Sequence, residues 1–402
     1  MPDKFRNFVR DHANDELHEL LFNASRYPDV DVKAAVVQIK ARKRIKEKWP
    51  SWYNHADLIY PSLLSVEQCS SEITALYKQR LVQNDDWLCD LTGGLGIDAF
   101  FFSKKVKRVT FVERNQVCCS AAKANFQALG VENVDFIPAD SFDFLKDNDN
   151  HLENIHVFYL DPSRRAGGNK RLYAIADCEP DLMKIINFLP KRYRLIVKLS
   201  PMLDVKWAVN QIPNVREVHI LSIKNECKEL LVISSPPLIA ITDDQPLDVY
   251  CINYTTDGME QSFRFQLSDE LTSDRRIAKG VDRFLYEPHA SILKAGAFKT
   301  IASRYGIEKL HVNSHLYTSD RMITLFPGRL FEVTDVFSFN SRMCRNLALS
   351  IPQATISVRH FPLSADELRK RMRINDGGDI YLFATTLSQG QKVLIKCQRI
   401  NV

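Results

Sequence analysis

The chain has 402 residues, of which 45% are hydrophobic and 26% are charged, and its formal net charge at pH 7 is +5. A chain of this length is too long to fold around a single hydrophobic core, so we expect about two to four domains. The composition is that of ordinary globular proteins. No apolar run approaches the ~18 residues of a membrane span, and the N-terminus lacks the apolar segment of a secretory signal. The nine cysteines form no paired CxxC motif, so we expect reduced thiols, a cytoplasmic protein and no metal.

Residues 1–82 are predicted to form a helical N-terminal region. Apolar residues recur at helical spacing in the segments ELHELLFNA, VKAAVVQIKARKRIKEKW and SSEITALYKQRLV. Pro50 and Pro61 interrupt this pattern, because proline cannot continue through the interior of a helix. We therefore expect a set of short helices.

Basic residues are concentrated in two runs at opposite ends of the chain. Six of the nine residues from Lys40 to Lys48 are basic, as are four of the five from Arg369 to Arg373. Each run alone is typical of a solvated helix face. Together they favour a nucleic-acid partner, which the small net charge alone would not indicate.

Residues 83–240 alternate predicted strands with predicted helices. The strand candidates, in chain order, are DWLCDLT, RVTFVER, VDFIPAD, IHVFYLD, RLIVKLSP, VREVHILSI and KELLVISS. Strands that are continuously apolar and alternate with helices predict a parallel sheet covered by helices, and therefore an α/β domain. The last strands follow one another without a helix, which predicts an antiparallel edge.

The remainder of the chain is predicted to form small α+β domains over residues 241–330 and 331–402. The segment SSPPLIAITDDQPLD is rich in proline, serine and aspartate and is the best candidate for a linker. Ser364 and Glu367 have the spacing of a capping box at the start of the helical segment LSADELRKRM. The segments DIYLFATTL and KVLIKCQRI, joined by SQGQ, predict a β-hairpin.

Acidic residues end four successive predicted strands of the α/β domain. They are Asp90, Glu113, Asp140 and Asp161, and Glu113 follows Asp90 by 23 residues. Ligands of open α/β sheets bind at the carboxyl ends of the strands, where an acid on the second strand commonly holds a ribose. The sequence therefore predicts a nucleotide-type ligand at this edge.

The turn after the first of these strands is rich in glycine and reads Asp90-Leu-Thr92-Gly93-Gly94-Leu-Gly96. Glycines there allow a ligand to approach the backbone and a helix to pack on the strand. The dinucleotide pattern GxGxxG is not met. The spacing instead resembles the first motif of the class I S-adenosylmethionine-dependent methyltransferases, with Thr92 in place of the first glycine.

The resemblance implies a Rossmann-like sheet and S-adenosylmethionine as the cofactor. By position it places the glycine-rich turn at the methionine part, Glu113 at the ribose and Asp140 near the adenine. Arg114 and Ser141, which follow these two acids, are included in the expected cofactor site. Lys78, in ALYKQR, could reach the cofactor carboxylate, and a surface salt bridge is the alternative.

Asp161 lies at the fourth motif of the same family. In its amine-methylating members this motif reads Asn/Asp-Pro-Pro-aromatic, and it holds the target amine and stacks on the base. The chain keeps Asp161-Pro162 but has Ser163-Arg164 in place of the last two residues. A guanidinium plane can also stack on a base or hold a phosphate, so these four residues are the expected catalytic group.

C5-pyrimidine methylation is a competing chemistry within this fold. It requires a cysteine nucleophile in a later motif, and the corresponding stretch VKLSPMLD contains none. Without a thiolate there is no covalent route to activating C5, so N-methylation is favoured. Three further residues are candidates for contacts with the substrate: Arg165, Lys198 and Ser200.

The resemblance extends over most of the chain. The segments YEPHASILKAGAF and ATISVRHFPLSADELRKRMRINDGGDIYLFATT, with the motifs above, look like a bacterial group of class I RNA methyltransferases. Members have a ferredoxin-like domain and a C-terminal THUMP-like domain. The resemblance implies RNA as the substrate, which we expect to be structured rRNA or tRNA. The methyltransferase core also resembles the N2-guanine methyltransferases, and guanine N2 is the favoured acceptor. The alternatives are a protein or small-molecule N-methyltransferase, and an RNA-binding protein with a vestigial methyltransferase site.

Overall fold

The computed structural model describes residues 3–164, 178–190, 192–235 and 246–401. The chain forms two compact units, the first comprising Met1–Val215 and Leu231–Thr242 and the second Arg216–Leu230 and Asp243–Val402. Residues 236–245 of the predicted linker lie outside the described residues. Among the helices that are described, none combines the length and the apolar character needed to cross a membrane.

The first unit begins with short helices, as the sequence predicts. Side chains that accept hydrogen bonds from backbone amides start three of them, namely Asp31, Ser62 and Ser71. The elements are α1 (Asp3–Asp11), α2 (Leu17–Phe22), a 3-10 turn (Ala24–Arg26), α3 (Val32–Lys48), α4 (Pro50–Tyr53), α5 (Leu63–Gln68) and α6 (Glu72–Gln79).

A sheet with helices between its strands follows. Its elements are β1 (Trp87–Asp90), α7 (Ile97–Ser103), β2 (Arg108–Val112), α8 (Gln116–Ala128), β3 (Val134–Ile137), α9 (Ser141–Asp147), α10 (Asp149–Leu152), β4 (Val157–Leu160), β5 (Ser163–Arg164), β6 (Cys178–Glu179), α11 (Leu182–Phe188), β7 (Arg194–Leu199), α12 (Val205–Gln211), β8 (Val215–Ile223) and β9 (Glu226–Ser234). The two units divide β9 between them, and β8 belongs to the second unit except for Val215.

The strand order in the first unit determines where a ligand can bind. The order is β7-β4-β1-β2-β3, and all four pairings are parallel. Strand β4 is buried along its whole length, as expected for a strand covered by helices on both faces. The order runs outward in both directions from β1, and such a switch point opens a crevice at the carboxyl ends of the strands.

The second unit contains a three-stranded group and a seven-stranded sheet. Its elements after β8 are β10 (Asp248–Tyr254), β11 (Glu260–Gln266), α13 (Leu267–Thr272), β12 (Phe284–Pro288), α14 (Ala290–Ala295), α15 (Phe298–Tyr305), β13 (Glu308–Lys309), β14 (Tyr317–Ser319), β15 (Gly328–Ser338), α16 (Ser341–Ser350), β16 (Thr355–Arg359), α17 (Ala365–Met372), β17 (Ile380–Thr386) and β18 (Lys392–Ile400). Strand β8 pairs in parallel with β10, and β10 pairs antiparallel with β11.

The seven strands of the second sheet have the order β13-β14-β12-β15-β18-β17-β16. The predicted hairpin is present as the antiparallel pair β17–β18, and the capping box of Ser364 and Glu367 starts α17. Strand β15 crosses the predicted boundary at residue 330 and pairs with both β12 and β18. The segments on either side of that boundary therefore share one sheet, and the division into four domains stays a prediction.

Candidate active site

A cavity of about 670 Å³ opens at the carboxyl ends of the parallel strands in the first unit. The N-cap and body of α5, the glycine-rich turn, and the ends of β2, β3 and β4 contribute to its wall. Ten residues predicted for the site line it: Asp90, Thr92, Gly93, Gly94, Glu113, Arg114, Asp140, Ser141, Asp161 and Ser163. The switch point of the sheet thus brings together residues that are far apart in sequence.

The other predicted residues lie outside the cavity lining or outside the described residues. Gly96 lies at the start of α7, and Lys78, Pro162, Lys198 and Ser200 are not part of the lining among the described residues. The backbone of Arg164 belongs to β5. Arg165 lies outside the described residues, so its predicted contact with the substrate stays a prediction.

The glycine-rich turn requires glycine at three positions for different reasons. Gly94 and Gly96 have left-handed backbone angles, with φ of 57° and 85°. A Cβ at Gly93 would overlap the buried ring of Phe111. The amide of Gly94 donates a hydrogen bond of 2.7 Å to Oε2 of Glu113, so the turn is tied to the end of β2.

Thr92, the residue that departs from the glycine pattern, has a structural role. Its amide donates to Oδ1 of Asp90 at 2.9 Å. Its Oγ1 accepts a hydrogen bond of 2.7 Å from the backbone amide of Asp161. The threonine therefore joins the end of β1 to the first residue after β4, and its hydroxyl provides a contact that glycine could not make.

The acids on β2 and β3 are held by backbone amides. Oε1 of Glu113 accepts from the amide of Asn115 at 2.7 Å, and Oδ1 of Asp140 accepts from the amide of Phe142 at 2.8 Å, which caps α9. Ser141 is buried and donates to the carbonyl of Leu91 at 2.5 Å. These bonds fix the orientation of both carboxyl groups beside the cavity.

Three predicted residues form contacts with other residues of the protein. The exposed guanidinium of Arg114 pairs with Glu179, a residue of β6 that sequence reasoning did not find. Ser163 donates to the carbonyl of the same Glu179 at 3.3 Å. Ser200 accepts from the amide of Met202 at 3.3 Å. Since these contacts lie within the protein, they leave the predicted roles of these residues toward a ligand untested.

Asp90 is almost completely buried, which disfavours its charged form. Burial raises its pKa from 3.8 to about 8, the amide of Thr92 opposes the shift, and the carboxylates of Asp98, Asp161 and Glu113 add to it. The site therefore contains a carboxyl group that is partly protonated near neutral pH and would ionise more readily beside a positive charge.

Lys78 has a buried acidic partner. Its fully buried ammonium lies 2.8 Å from Oδ1 of Asp98 on α7 and donates to Oγ of Ser70 at 2.6 Å. Oδ2 of Asp98 also accepts from Ser70 at 2.8 Å and from the hydroxyl of Tyr159 at 2.7 Å. The surface salt bridge considered for Lys78 is therefore wrong, because this pair is buried.

Asp161 pairs with Lys198, which lies near the end of the neighbouring strand β7. The same ammonium lies 3.1 Å from Oγ of Ser70. Burial raises the pKa of Asp161, although the Lys198 ammonium lowers it in part. The result is a carboxyl group at the cavity wall that is held on one side by a cation.

Sequence reasoning did not find Ser70, Asp98 or Tyr159. Only Asp98 had a usable signal, because it is the single charged residue in the otherwise apolar segment IDAFFFS after the glycine-rich turn. The described part of the chain contains no group of three or more histidine, cysteine, aspartate or glutamate side chains arranged to hold a metal ion.

Comparisons with known proteins identify the family. A ferredoxin-like domain model matches residues 284–327, and a THUMP domain-like model matches residues 328–399. A crystal structure of a "putative methyltransferase" from Porphyromonas gingivalis W83 is 34% identical, covers 99% of this chain and 98% of that chain, and has a TM-score of 0.87. This chain belongs to the same methyltransferase family. The predicted fold class and family are thereby confirmed.

Two curated relatives of this methyltransferase are more distant. An uncharacterized S-adenosylmethionine-dependent methyltransferase of Mycobacterium tuberculosis (strain CDC 1551 / Oshkosh) is 22% identical over 311 residues, which cover 75% of this chain and 77% of the relative. An uncharacterized RNA methyltransferase of Thermotoga maritima is 28% identical over 121 residues, or 30% of this chain and 27% of the relative.

Replacing Gly93 by alanine is expected to destabilise the methyltransferase. The added methyl group would overpack the buried ring of Phe111 and lower the free energy of unfolding by about 1–3 kcal/mol in urea denaturation. Gly280→Ala is the matched control, since its Cβ would meet nothing within 4 Å. Equal effects of the two substitutions would contradict this explanation of Gly93.

Replacing Asp90 by asparagine is expected to stabilise the ligand-free protein as the pH rises. Because folding raises the pKa of Asp90 from 3.8 to about 8, its ionisation costs stability progressively between those values. The melting temperature of Asp90→Asn should therefore exceed that of the wild type, and the difference should grow from about pH 5 to about pH 8. Asp135→Asn, at an exposed ion pair with Arg108, is the control. A difference that does not vary with pH would refute the assignment.

Proposed function

We propose that this protein transfers a methyl group from S-adenosylmethionine to a base nitrogen of RNA. The observation that carries the proposal is the convergence of the glycine-rich turn and four strand-end acids on one cavity, with Asp161 in its wall. Family membership supports the methyl transfer. The names of the relatives in Mycobacterium tuberculosis and Thermotoga maritima support the cofactor and the RNA substrate, respectively.

The residues present fit S-adenosylmethionine. At Gly94 the absent Cβ would have only the carbonyl of Thr92 nearby, at 3.8 Å, so the backbone is open to a ligand. In our proposal the glycine-rich turn and Asp90 hold the positively charged methionine part, Glu113 holds the ribose hydroxyls, and Asp140 lies near the adenine. Carboxylates are suited to both partners, since they accept hydrogen bonds from hydroxyls and attract an ammonium.

Asp161 is proposed to bind the acceptor nitrogen. When bound, S-adenosylmethionine would supply a methyl group activated by a positively charged sulfur, and the residues of this chain would orient the lone pair of the acceptor nitrogen toward it. The Asp161 carboxylate accepts a hydrogen bond from the acceptor N–H and then takes its proton. The Pro162 carbonyl is proposed to accept a second hydrogen bond, which favours an exocyclic amine, with two N–H donors, as the acceptor; guanine N2 is our choice among these. Rate enhancement then comes mainly from orientation.

The basic run on α3 separates into structural and exposed residues. Arg42 donates to the carbonyls of Tyr53 and His55, and Lys48 donates to those of Val66 and Glu67. Arg42 therefore binds the C-terminal end of α4, and Lys48 binds the backbone of α5. Three lysines of the run remain exposed, namely Lys40, Lys43 and Lys46, and so does Arg44.

The exposed lysines of α3 are proposed to bind RNA phosphates. Lys48 attaches α3 to α5, and α5 contributes Leu64, Ser65 and Gln68 to the cavity wall. Phosphate contacts on this helix would therefore be fixed relative to the site of methyl transfer. Such contacts fix the position of an RNA strand without reading its sequence.

Two substitutions should separate cofactor binding from transfer. Glu113→Ala should weaken the binding of S-adenosylmethionine in calorimetry about tenfold or more, because it removes a charged hydrogen-bond acceptor. Asp161→Ala should leave this affinity within about twofold of the wild type but abolish methyl transfer to RNA from cells that lack the gene. Wild-type protein that binds no S-adenosylmethionine, or Asp161→Ala protein that retains activity, would refute the respective assignments.

Replacing Lys40, Lys43 and Lys46 together by glutamine should weaken RNA binding and its dependence on salt. The plot of log K against log salt for bulk tRNA has a negative slope, and its magnitude should decrease by about 2. Each of the three lost phosphate contacts on a single strand contributes about 0.7. A triple variant at the exposed residues Lys104, Lys107 and Lys123 is the control. An equal loss in both variants would indicate nonspecific attraction and contradict a phosphate site on α3.

A further inference from the structure

Three buried or nearly buried charged groups surround one serine hydroxyl beside the cavity. Oγ of Ser70 lies 2.6 Å from Nζ of Lys78, 3.1 Å from Nζ of Lys198 and 2.8 Å from Oδ2 of Asp98. Lys198 in turn pairs with Asp161. The ammonium of Lys78 is therefore connected to the carboxylate of Asp161 through polar contacts within the protein. We call these five side chains the Ser70 cluster.

Stability alone gives little reason for such a cluster. The side chain of Lys78 is 0% exposed and that of Asp98 is 9% exposed. Removing two charges from water costs several kcal/mol for each, and a buried ion pair is often no more stabilising than apolar residues of similar size. An effect on the neighbouring reactive carboxylate is a better explanation of its position.

The charges in the cluster act on Asp161 from three elements. Burial of Asp161 raises its pKa, Lys198 on β7 lowers it, Asp98 on α7 raises it and Lys78 on α6 lowers it. Asp90 on β1 is a further acid close to Asp161. Because the two lysines and Asp98 act in opposite directions, the protonation of Asp161 depends on the balance between them.

Asp98 is kept ionised within this balance. Burial opposes its charge, but the ammonium groups of Lys78 and Lys198, with hydrogen bonds from Lys78 and Tyr159, lower its pKa below the ordinary value. Its negative charge therefore persists at acidic pH, where Asp161 takes up a proton. The Lys78–Asp98 pair consequently acts as a fixed pair of charges beside a carboxyl group that titrates.

We propose that Ser70, Lys78, Asp98 and Lys198 are positioning residues that hold the Asp161 carboxylate in place and together set the pH at which it ionises for the acceptor nitrogen. Lys78 then acts through Asp98 and Ser70 on the reaction, in place of the cofactor contact that the sequence suggested. Lys198 acts on Asp161 in place of the predicted contact with substrate. The catalytic consequence rests on the proposed methyl transfer, whereas the effect on the protonation of Asp161 does not.

Substitutions in the cluster should move the pH dependence of transfer in opposite directions. Since transfer needs ionised Asp161, its rate falls as the pH drops through the pKa of that group. Lys198→Gln and Lys78→Met each remove a positive charge and should shift the acidic limb of the pH–rate profile to higher pH by about one unit. Asp98→Asn removes a negative charge and should lower it by about as much. The double variant Lys78→Met/Asp98→Asn should return it close to the wild type.

The measurement is the initial rate of methyl transfer across the pH range to RNA from cells lacking the gene, at saturating S-adenosylmethionine. Replacing one partner of a buried pair can prevent folding, whereas Asp98→Asn is nearly isosteric and the double variant leaves no unpaired charge. These two variants therefore decide the outcome if Lys78→Met does not fold. Arg108→Gln, at an exposed ion pair, is the control. Shifts of the limb in one common direction, or none, would overturn the proposal.

A second measurement needs no substrate. Carbon-13 NMR of labelled aspartate carboxyl groups, with the Asp161 signal identified from Asp161→Asn, gives the pKa of Asp161 in the free protein. The shifts are expected in the same directions, with the pKa of Asp161 highest in Lys198→Gln, which removes its direct partner, raised less in Lys78→Met and lowest in Asp98→Asn. If the pKa values follow that order but the wild type transfers no methyl group, the electrostatic coupling is retained and the proposed function is refuted. An unchanged pKa in all variants would refute the coupling, whether or not transfer occurs.

Discussion

The direction of the strands in the first sheet is the constraint on which the site depends. Because β1, β2, β3, β4 and β7 are all parallel, their carboxyl ends lie along one edge. The order runs outward from β1 on both sides, and helices cannot close the sheet over that point. Every acid that follows one of these strands is therefore directed toward the same crevice.

Concentrating carboxyl groups at one edge has an electrostatic cost, which the structure offsets in different ways. Glu113 and Asp140 accept hydrogen bonds from backbone amides, which satisfy a negative charge without adding a titratable group. Asp98 and Asp161 have lysine partners. Asp90 accepts a hydrogen bond from the amide of Thr92 in the turn, and its burial raises its pKa to about 8. The arrangement leaves negative potential available for a positively charged ligand.

Much of the fold and the outline of the site could be predicted from the sequence. The spacing of apolar residues indicates strands and helices, and one acid per strand end indicates a shared edge, since both follow from local periodicity and the geometry of parallel sheets. The role of Thr92 could not be predicted, because its hydroxyl contacts the amide of Asp161, a residue distant in sequence. The same holds for Ser70 and Tyr159, whose importance lies only in the tertiary contacts that they make with Asp98.

Ser70 and Lys78 have a consequence for the modularity of the enzyme. Both precede residue 83, where the sequence places the start of the α/β domain, and both belong to the first compact unit. A fragment cut at that boundary would retain the whole glycine-rich turn and all four strand-end acids. It would nevertheless leave Asp98 without Lys78 and expose apolar side chains of α7 such as Phe100, which packs against Trp52 of the helical region. The helical region is thus an integral part of the catalytic scaffold, and a transplanted sheet would not be self-sufficient.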